Sequence, residues 1–249
     1  MLVSTDMESA GFTVAFTERS GGVSAGSFRS LNLGLACGDD RLLAGENRRR
    51  LCAAMGAPEF ACCKQVHGTR IERIGRERAG MGFLDPADAL RATDGLLTDE
   101  AGVAVAVLTA DCVPMVLADP ASGRLAVVHA GWRGIAAGIV GEALSAFDHP
   151  SDVRASIGPA IGPDHYEVGE DVAKAVDIAC PSGAVTRSRG SRTRPHLDLP
   201  SSIAGILRDG GVRRISVSGL CTACEEDRFF SYRRDGITGR QGVVAVRTP

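Results

Sequence analysis

The sequence predicts a mixed-sheet α/β or α+β fold rather than a doubly wound parallel one. Segments of strand composition alternate with helical segments, and both short hairpin turns and longer crossovers join successive strands. The 249 residues are 44% apolar and 23% charged, which is enough to bury a sizeable core. No linker, internal repeat or low-complexity tract divides the chain, so we expect a single domain over residues 1–249.

Seven segments have the composition of β-strands. The clearest, residues 103–109, is a valine-rich apolar run of the kind found in strands buried on both faces. The predicted strands are 12–17, 103–109, 113–118, 124–128, 153–157, 214–218 and 243–246.

Four segments are predicted to be helical: 46–55, 135–147, 170–179 and 199–209. Three of them end at a recognisable stop signal, respectively Gly56 with Pro58 beyond it, Pro181, and the pair Gly210-Gly211. The helix over 135–147 follows a glycine-rich turn.

Charge and hydropathy exclude several classes of protein. The net charge of -2 argues against a dedicated nucleic-acid binder. The first residues carry no secretory signal, and no run reaches the ~18 apolar residues that a membrane helix needs. We therefore expect a cytoplasmic protein, monomer or homodimer, without a membrane or nucleic-acid partner. Its eight cysteines are then expected to be thiols or metal ligands rather than disulfides.

A five-residue turn, Asp-Pro-Ala-Ser-Gly, separates two of the predicted strands. If Asp119 opposes Arg124 across it, His129 faces Pro114. Cys112 and His129 then become diagonal neighbours on one face, with Cα atoms within roughly 7–8 Å. Side chains that close can share a metal ion, although an odd change of register would separate them.

His67 is the third candidate ligand, beside Cys112 and His129. Three protein ligands with a fourth position open to water describe a catalytic zinc site. The spacing alone contains no tight ligand motif, so a buried structural cysteine and two hydrogen-bonded histidines remain the alternative.

Two segments could bind an anion. Arg133 lies in a Gly-Trp-Arg-Gly turn between a strand and a helix, where backbone amides and a guanidinium could hold a phosphate or a carboxylate. The alternative is a tight turn with glycines chosen for their dihedral freedom. The segment 186–195 is rich in arginine and is expected to be an exposed loop, with an anion-binding loop as the alternative.

Cys221 and Cys224 form a C-x-x-C pair, which could be half of a zinc site or a redox pair, but no second pair completes a zinc site. Together with His165 the pair superficially resembles the zinc deaminase signature, but Leu220 stands in the proline position. We expect only Cys112 to have a histidine neighbour, and hence no metal at the C-x-x-C.

Residues 229–236 concentrate three aromatic side chains beside two arginines. Aromatic faces stack on bases and guanidinium groups bind phosphate. The alternative is a core strand that ends in a turn at Asp235-Gly236. This alternative is favoured for Phe229, whereas a binding role stays open for Tyr232 and Arg233.

Several motifs occur together and in a fixed order, which is far more specific than any one of them. They are SLNLG (30–34), GDD (38–40), NR (47–48), KQVHG (64–68), TADCVP (109–114), HAGWRG (129–134), IGP (161–163), YEVG (166–169), the stretch 229–236 and TGR (238–240). In this combination the chain resembles the YfiH-type family of laccase-domain proteins, formerly described as multicopper polyphenol oxidases and now as purine nucleoside phosphorylases with adenosine deaminase activity. The resemblance covers about residues 12–246.

The resemblance implies a CNF1/YfiH-like α+β layered sandwich with mixed β-sheets and flanking helices. It also implies phosphorolysis of adenosine, inosine and methylthioadenosine, together with deamination of adenosine. His67, Cys112 and His129 match the family's ligands for Zn²⁺, with Cu²⁺ as an alternative metal. Asp164 stands where many members have cysteine, which removes one soft ligand.

Substrate roles are expected for five residues. The phosphate candidates are Arg48 and Arg133, and the other substrate-binding candidates are Gln65, Tyr232 and Arg233.

Three competing functions use the same residues differently. In a cysteine hydrolase or amidase, Cys112 would be the nucleophile and His129 its base. In a copper-dependent polyphenol oxidoreductase, Met115 would complete a blue-copper ligand set, although five histidines are too few for a true multicopper oxidase. A non-catalytic binding module is the third alternative.

Overall fold

Two six-stranded mixed β-sheets form the centre of the molecule. The structure is a computed structural model that describes residues 1–180, 185–186 and 194–248. In spatial order, the first sheet contains β1 (Leu2–Val3), β2 (Phe12–Phe16), β14 (Gln241–Arg247), β7 (Ala104–Thr109), β3 (Ala61–Lys64) and β5 (Leu90–Arg91). The second contains β13 (Arg214–Val217), β10 (Arg154–Ile157), β8 (Val113–Asp119), β9 (Arg124–Ala130), β6 (Gly95–Thr98) and β4 (Ile71–Arg73). A separate short ladder pairs β11 (Val185–Thr186) with β12 (His196–Leu197).

Helices cover the outer faces of the two sheets. The α-helices are α1 (Thr5–Glu8), α2 (Arg41–Met55), α3 (Trp132–Ala136), α4 (Ile139–Ser145), α5 (Glu170–Ala179), α6 (Leu199–Asp209) and α7 (Tyr232–Asp235). Short 3₁₀ helices span Gly26–Phe28, Arg76–Arg78 and Pro150–Asp152. None of the helices in the described residues is both long enough and apolar enough to span a lipid bilayer.

Three apolar clusters define the layers. Alternate residues of β7 point to opposite sides: Val105 and Val107 pack between the sheets, whereas Ala104 and Ala106 pack with Leu51 of α2. The outer face of the second sheet packs against α3, α4, α5 and α6. The result is a layered α+β sandwich with two mixed sheets at its centre, and the predicted fold class is confirmed.

The β8–β9 hairpin has the register that the turn predicts. Asp119 pairs with Arg124 and Pro114 pairs with His129. The Asp119 carboxylate accepts hydrogen bonds from the amide of Ala121 at 2.9 Å and the hydroxyl of Ser122 at 2.6 Å, which closes the turn locally. This register is the basis for placing Cys112 beside His129.

Several predicted element boundaries are wrong. The predicted helix over 135–147 is two helices, because Gly138 adopts a left-handed φ of 96° between α3 and α4. The helix predicted from residue 46 begins at Arg41, where the side chain of Asp40 caps it. Residues 229–236 contain the short helix α7 rather than a core strand, although Phe229 is buried as expected. Within the arginine-rich segment, residues 187–193 lie outside the described part of the chain.

Two connections cross from the first sheet to the second and carry the residues of interest. One joins β3 to β4 and contains His67; the other joins β7 to β8 and contains Cys112. His129 is the penultimate residue of β9, on the side-chain face that Leu125 and Val127 present to the first sheet. The three side chains therefore meet at the edge of the space between the sheets.

Candidate active site

The donor atoms of His67, Cys112 and His129 all lie within 4.8 Å of one another. Sγ of Cys112 is 3.7 Å from Nε2 of His67, and the two imidazole ring centroids are 4.8 Å apart with the rings nearly perpendicular. His129 is buried, Cys112 is half-buried and His67 is exposed. The cluster is thus anchored in the protein on one side and open to solvent on the other.

Asp94 holds this cluster in place through hydrogen bonds. Its carboxylate accepts a hydrogen bond from Nδ1 of His129 at 2.8 Å and from the amides of Val66, His67 and Gly68 at 2.8–3.1 Å. The side chain of Asp94 is fully buried. One carboxylate therefore fixes both the ring of His129 and the loop that carries His67.

The electrostatics of the cluster favour an ionised thiol. Burial raises the pKa of the Cys112 thiol, but the imidazoles of His129 and His67 lower it, with a result of about 6. Burial lowers the pKa of His129, whereas the Cys112 thiolate and Asp94 raise it to about 9. Burial likewise raises the pKa of Asp94, yet the hydrogen bonds from His129 and the backbone amides hold it below its usual range. A thiolate is the form of cysteine that binds metals and acts as a nucleophile.

Gly131 leaves room for the cluster. A Cβ at this position would lie 2.7 Å from Cδ2 of His67 and 3.0 Å from Sγ of Cys112. The backbone of Gly131 is extended, with a φ of -82°, so the glycine is needed for space and not for its dihedral freedom.

A cavity of about 940 Å³ opens beside the cluster. Its walls combine aromatic, apolar and cationic side chains, as small-molecule sites commonly do. The aromatic and cationic lining residues are His67, His129, Trp132, Tyr166, Tyr232, Arg41, Arg48, Lys64, Arg133, Arg233 and Arg240.

Two of the predicted substrate-binding residues, Arg48 and Gln65, form hydrogen bonds with the protein backbone. Arg48 is only 2% exposed and donates to the carbonyls of Leu33, Gly82 and Phe83 at 2.6–2.8 Å. The side-chain amide of Gln65 forms two hydrogen bonds with the backbone of Leu108, at 2.7 and 2.9 Å, and ties β7 to the loop after β3. Both side chains border the cavity, but these contacts favour structural roles.

The other three predicted residues face the cavity. Arg133 is exposed, with its guanidinium carbon 4.4 Å from the centroid of the Trp132 ring. Arg233 lies 5.0 Å from the centroid of Tyr166 and donates to two backbone carbonyls of the adjacent loop. Tyr232 is 62% exposed at the rim. Of the five predicted substrate-binding residues, these three are exposed and can contact a ligand.

Sequence reasoning missed three residues that shape the site. Besides Asp94, Asp111 adopts a left-handed φ of 93° next to Cys112; its carboxylate accepts bonds from the Thr222 hydroxyl at 2.6 Å and the Arg233 amide at 2.7 Å. Burial and the neighbouring Cys112 charge raise the pKa of Tyr166 to about 12. No local motif identifies these roles, although Asp111 directly precedes the candidate ligand in the chain.

The chain matches the family described as multi-copper polyphenol oxidoreductase laccase over residues 13–248. The chain belongs to this family. A relative from Geobacillus stearothermophilus, named purine nucleoside phosphorylase YlmD, is 42% identical over 93% of this chain and 88% of its own length. Purine nucleoside phosphorylase YfiH of Escherichia coli is 37% identical over 92% and 91%. The crystal structure of the Geobacillus YlmD superposes with a TM-score of 0.91 at 41% identity, covering 96% of this chain and 93% of that one. The resemblance inferred from the sequence motifs is confirmed.

The donor set of this family member suits a single borderline metal ion. One thiolate and two imidazoles are ligands for zinc or copper, and their spacing is within reach of bonds of ~2.0–2.3 Å. The hydrogen bond from Nδ1 of His129 to Asp94 leaves Nε2 as the nitrogen of that ring that can bind a metal, an arrangement typical of histidine ligands. Met115 belongs to the cluster that packs against the helices, on the opposite face of β8, which gives no support to a blue-copper axial ligand.

A second cluster contradicts the expectation that only Cys112 has a histidine neighbour. Nε2 of His165 is 3.1 Å from Sγ of Cys224, and the donor atoms of His165, Cys221 and Cys224 lie within 4.8 Å of one another. His165 is far from the two cysteines in the sequence, so no local pattern indicates that they are close in space. Their proximity results from the parallel pairing of β10 with β13 in the second sheet.

Proposed function

We propose that the chain is a metal-dependent purine nucleoside phosphorylase that acts on adenosine, inosine and methylthioadenosine, and that it also deaminates adenosine. The observation that carries this proposal is the convergence of His67, Cys112 and His129 beside an aromatic and cationic cavity. The names of the relatives support the phosphorylase activity. The substrates, the deaminase activity and the zinc are taken from the resemblance and are part of the proposal.

His67, Cys112 and His129 are proposed to hold the ion, with Asp94 fixing the ring of His129. When bound, a zinc ion with three protein ligands supplies Lewis-acid chemistry at its open fourth position. Copper fits the same three donors, and zinc is preferred because the proposed reactions involve no electron transfer.

The cavity walls suit both substrates of phosphorolysis, the purine nucleoside and phosphate. Trp132, Tyr166 and Tyr232 offer aromatic faces for a purine ring, and Arg133 and Arg233 offer guanidinium groups for phosphate. A phosphate oxygen then forms a bond to C1′ of the ribose while the bond from C1′ to N9 breaks, and the departing purine takes up the proton that the attacking hydrogen phosphate releases. Tyr166, whose hydroxyl is protonated at neutral pH and whose pKa burial raises to about 12, is the proposed hydrogen-bond donor to the purine.

Deamination of adenosine requires water in place of phosphate. Water adds at C6 of the purine and ammonia leaves, so the ribose and its bond to N9 stay intact. In this proposal the cationic side chains that hold phosphate have no direct part in the deamination. The two reactions should therefore respond differently to substitution of Arg133.

Product analysis with and without phosphate tests the proposal. Protein of measured zinc content is incubated with adenosine, inosine or methylthioadenosine. We expect free purine base and ribose 1-phosphate, or its methylthio derivative, only when phosphate is present, and inosine from adenosine in either condition. Unchanged nucleosides in the presence of zinc-loaded protein would overturn the proposal and favour a binding module.

A cysteine hydrolase is the second candidate, and the low pKa of Cys112 beside His67 favours it. A thiolate and an imidazole at this distance can act as nucleophile and base without a metal. Chelator-treated protein separates the two functions: a hydrolase would keep its activity and lose it on alkylation of Cys112, whereas the proposed phosphorylase would lose activity with its zinc.

A further inference from the structure

The second cluster, formed by His165, Cys221 and Cys224, lies on two loops that strand pairing holds together. β10 and β13 are parallel neighbours, so the segments that follow them leave the same edge of the sheet. The pairing continues past the strands in a parallel bridge between Ala160 and Cys221, with Thr222 N donating to Ala160 O at 3.0 Å. The backbone thereby brings His165 to the C-x-x-C pair.

We propose that His165, Cys221 and Cys224 form a second, structural metal site that takes a zinc-type divalent cation. All three donor atoms lie within 4.8 Å of one another, and bonds of ~2.0–2.3 Å in a tetrahedron place donors about 3.3–3.8 Å apart. A C-x-x-C pair is the usual half of a structural zinc site, and one imidazole extends it to three ligands. Water can supply the fourth ligand.

Backbone groups around the cluster are arranged for sulfur ligands. The amide of Gly162 donates to Sγ of Cys221 at 3.1 Å, a hydrogen bond that stabilises a thiolate ligand and orients it. A Cβ on Gly162 would lie 3.3 Å from that sulfur, so the close approach uses the absence of a side chain. His165 and Cys224 are exposed, which gives an ion access from solvent.

An ion at this site would hold one wall of the active-site cavity. Arg233 donates to the backbone carbonyls of His165 and Glu167 at 3.2 and 3.0 Å, and Thr222 donates to Asp111 beside the first cluster. One loop of the second site therefore contacts Arg233, and the other contacts Asp111, the residue before Cys112. The proposed role is to fix these loops, and it stands independently of the reaction that the first cluster performs.

Counting zinc in single-site variants tests this proposal. The protein, Cys224→Ser, His165→Ala, Cys112→Ser and the double variant Cys112→Ser/Cys224→Ser are loaded with Zn²⁺ under reducing conditions, desalted and weighed by native mass spectrometry. We expect two ions on the unaltered protein, one on Cys224→Ser and on Cys112→Ser, and almost none on the double variant. Cys37→Ser, which belongs to neither cluster, is the matched control and should keep both ions. His165→Ala removes an exposed side chain and so reports on the site even if Cys224→Ser folds poorly.

Thermal unfolding supplies a readout that does not depend on activity. Added Zn²⁺ should raise the Tm of Cys112→Ser, which keeps only the second site, and should leave the double variant unchanged. Equal zinc content in Cys224→Ser, His165→Ala and the unaltered protein would overturn the proposal. So would a Cys221–Cys224 disulfide that persists under the reducing conditions. Loss of zinc from the first site alone would leave this proposal intact and count against the proposed function.

Discussion

Asp94 accepts a hydrogen bond from Nδ1 of His129 at 2.8 Å, and the same carboxylate accepts the backbone amide of His67 at 2.9 Å. The first contact fixes a ring on β9, and the second fixes a loop that crosses between the sheets. A buried carboxylate thus sets the relative position of two candidate ligands that lie 62 residues apart in the chain. This arrangement makes Asp94 the residue that holds the proposed metal ligands in place.

Replacing Asp94 by Asn is expected to weaken zinc binding about 10- to 100-fold, because loss of the hydrogen-bond partner of a metal ligand usually has an effect of this size. An amide has one acceptor oxygen where the carboxylate has two, so some of its four hydrogen bonds are lost. Competition with a chelator of known affinity measures the change. The exposed Asp148 provides the control substitution, Asp148→Asn, which should bind zinc normally. Unaltered affinity in Asp94→Asn would show that the carboxylate does not organise the site.

Substitution of Gly131 by Ala is expected to reduce both zinc content and turnover while the fold persists. The added methyl group would press against His67 and Cys112 at 2.7 and 3.0 Å. Gly141 offers a matched control, because it lies inside α4 and a methyl group added there would meet no neighbouring side chain within 4 Å. Gly141→Ala should keep zinc and activity and gain roughly 0.5–1 kcal/mol of stability. Normal zinc content in Gly131→Ala would contradict the proposed packing of the ligands.

Arg133→Ala is expected to raise the phosphate requirement of phosphorolysis. Loss of one charge-assisted contact is worth ~1.5–3 kcal/mol, or roughly ten- to a hundredfold in binding. Deamination of adenosine uses no phosphate and should suffer less, and Arg133→Lys should recover part of the phosphate affinity. The measurement is the rate of phosphorolysis against phosphate concentration, beside deamination of the same nucleoside. A proportional loss of both activities would assign Arg133 to the nucleoside or to the fold.

Arg48→Met is expected to destabilise the protein by about 3 kcal/mol, because the buried carbonyls of Leu33, Gly82 and Phe83 lose their donor. Urea unfolding measures the loss. Arg49 is the neighbouring exposed residue of α2, and Arg49→Met should change stability by less than ~0.5 kcal/mol. A stable Arg48→Met variant with a raised phosphate requirement would instead support the phosphate role that the sequence predicts for Arg48.

The predictable parts of the fold are those with local causes. The turn closed by Asp119 determines the β8–β9 register, and that register places Cys112 near His129. By contrast, the break between α3 and α4 depends on the left-handed conformation of one residue, Gly138. A single glycine inside a helical pattern does not by itself predict a break. Local patterns therefore identified most strands of the two sheets and most of the helices, but they misplaced several boundaries.

The parts of the site that escaped prediction depend on contacts distant in sequence. Asp94 acts through residues of two other elements, and no motif around it shows this. His165 meets Cys224 only because β10 and β13 pair in parallel. Arg48 has the charge of a phosphate ligand, and its burial among carbonyls becomes visible only in the packed structure.

Phosphate-dependent cleavage of nucleosides is proposed to require an ion at His67, Cys112 and His129. Chelator-stripped protein is titrated with Zn²⁺ while phosphate-dependent release of hypoxanthine from inosine is recorded, beside the Cys112→Ser variant treated in the same way. Activity should be absent from the stripped protein, return as zinc is added, and stay absent from Cys112→Ser at every zinc concentration. Full activity in stripped protein, or recovery of Cys112→Ser to the level of the unaltered protein, would contradict the claim.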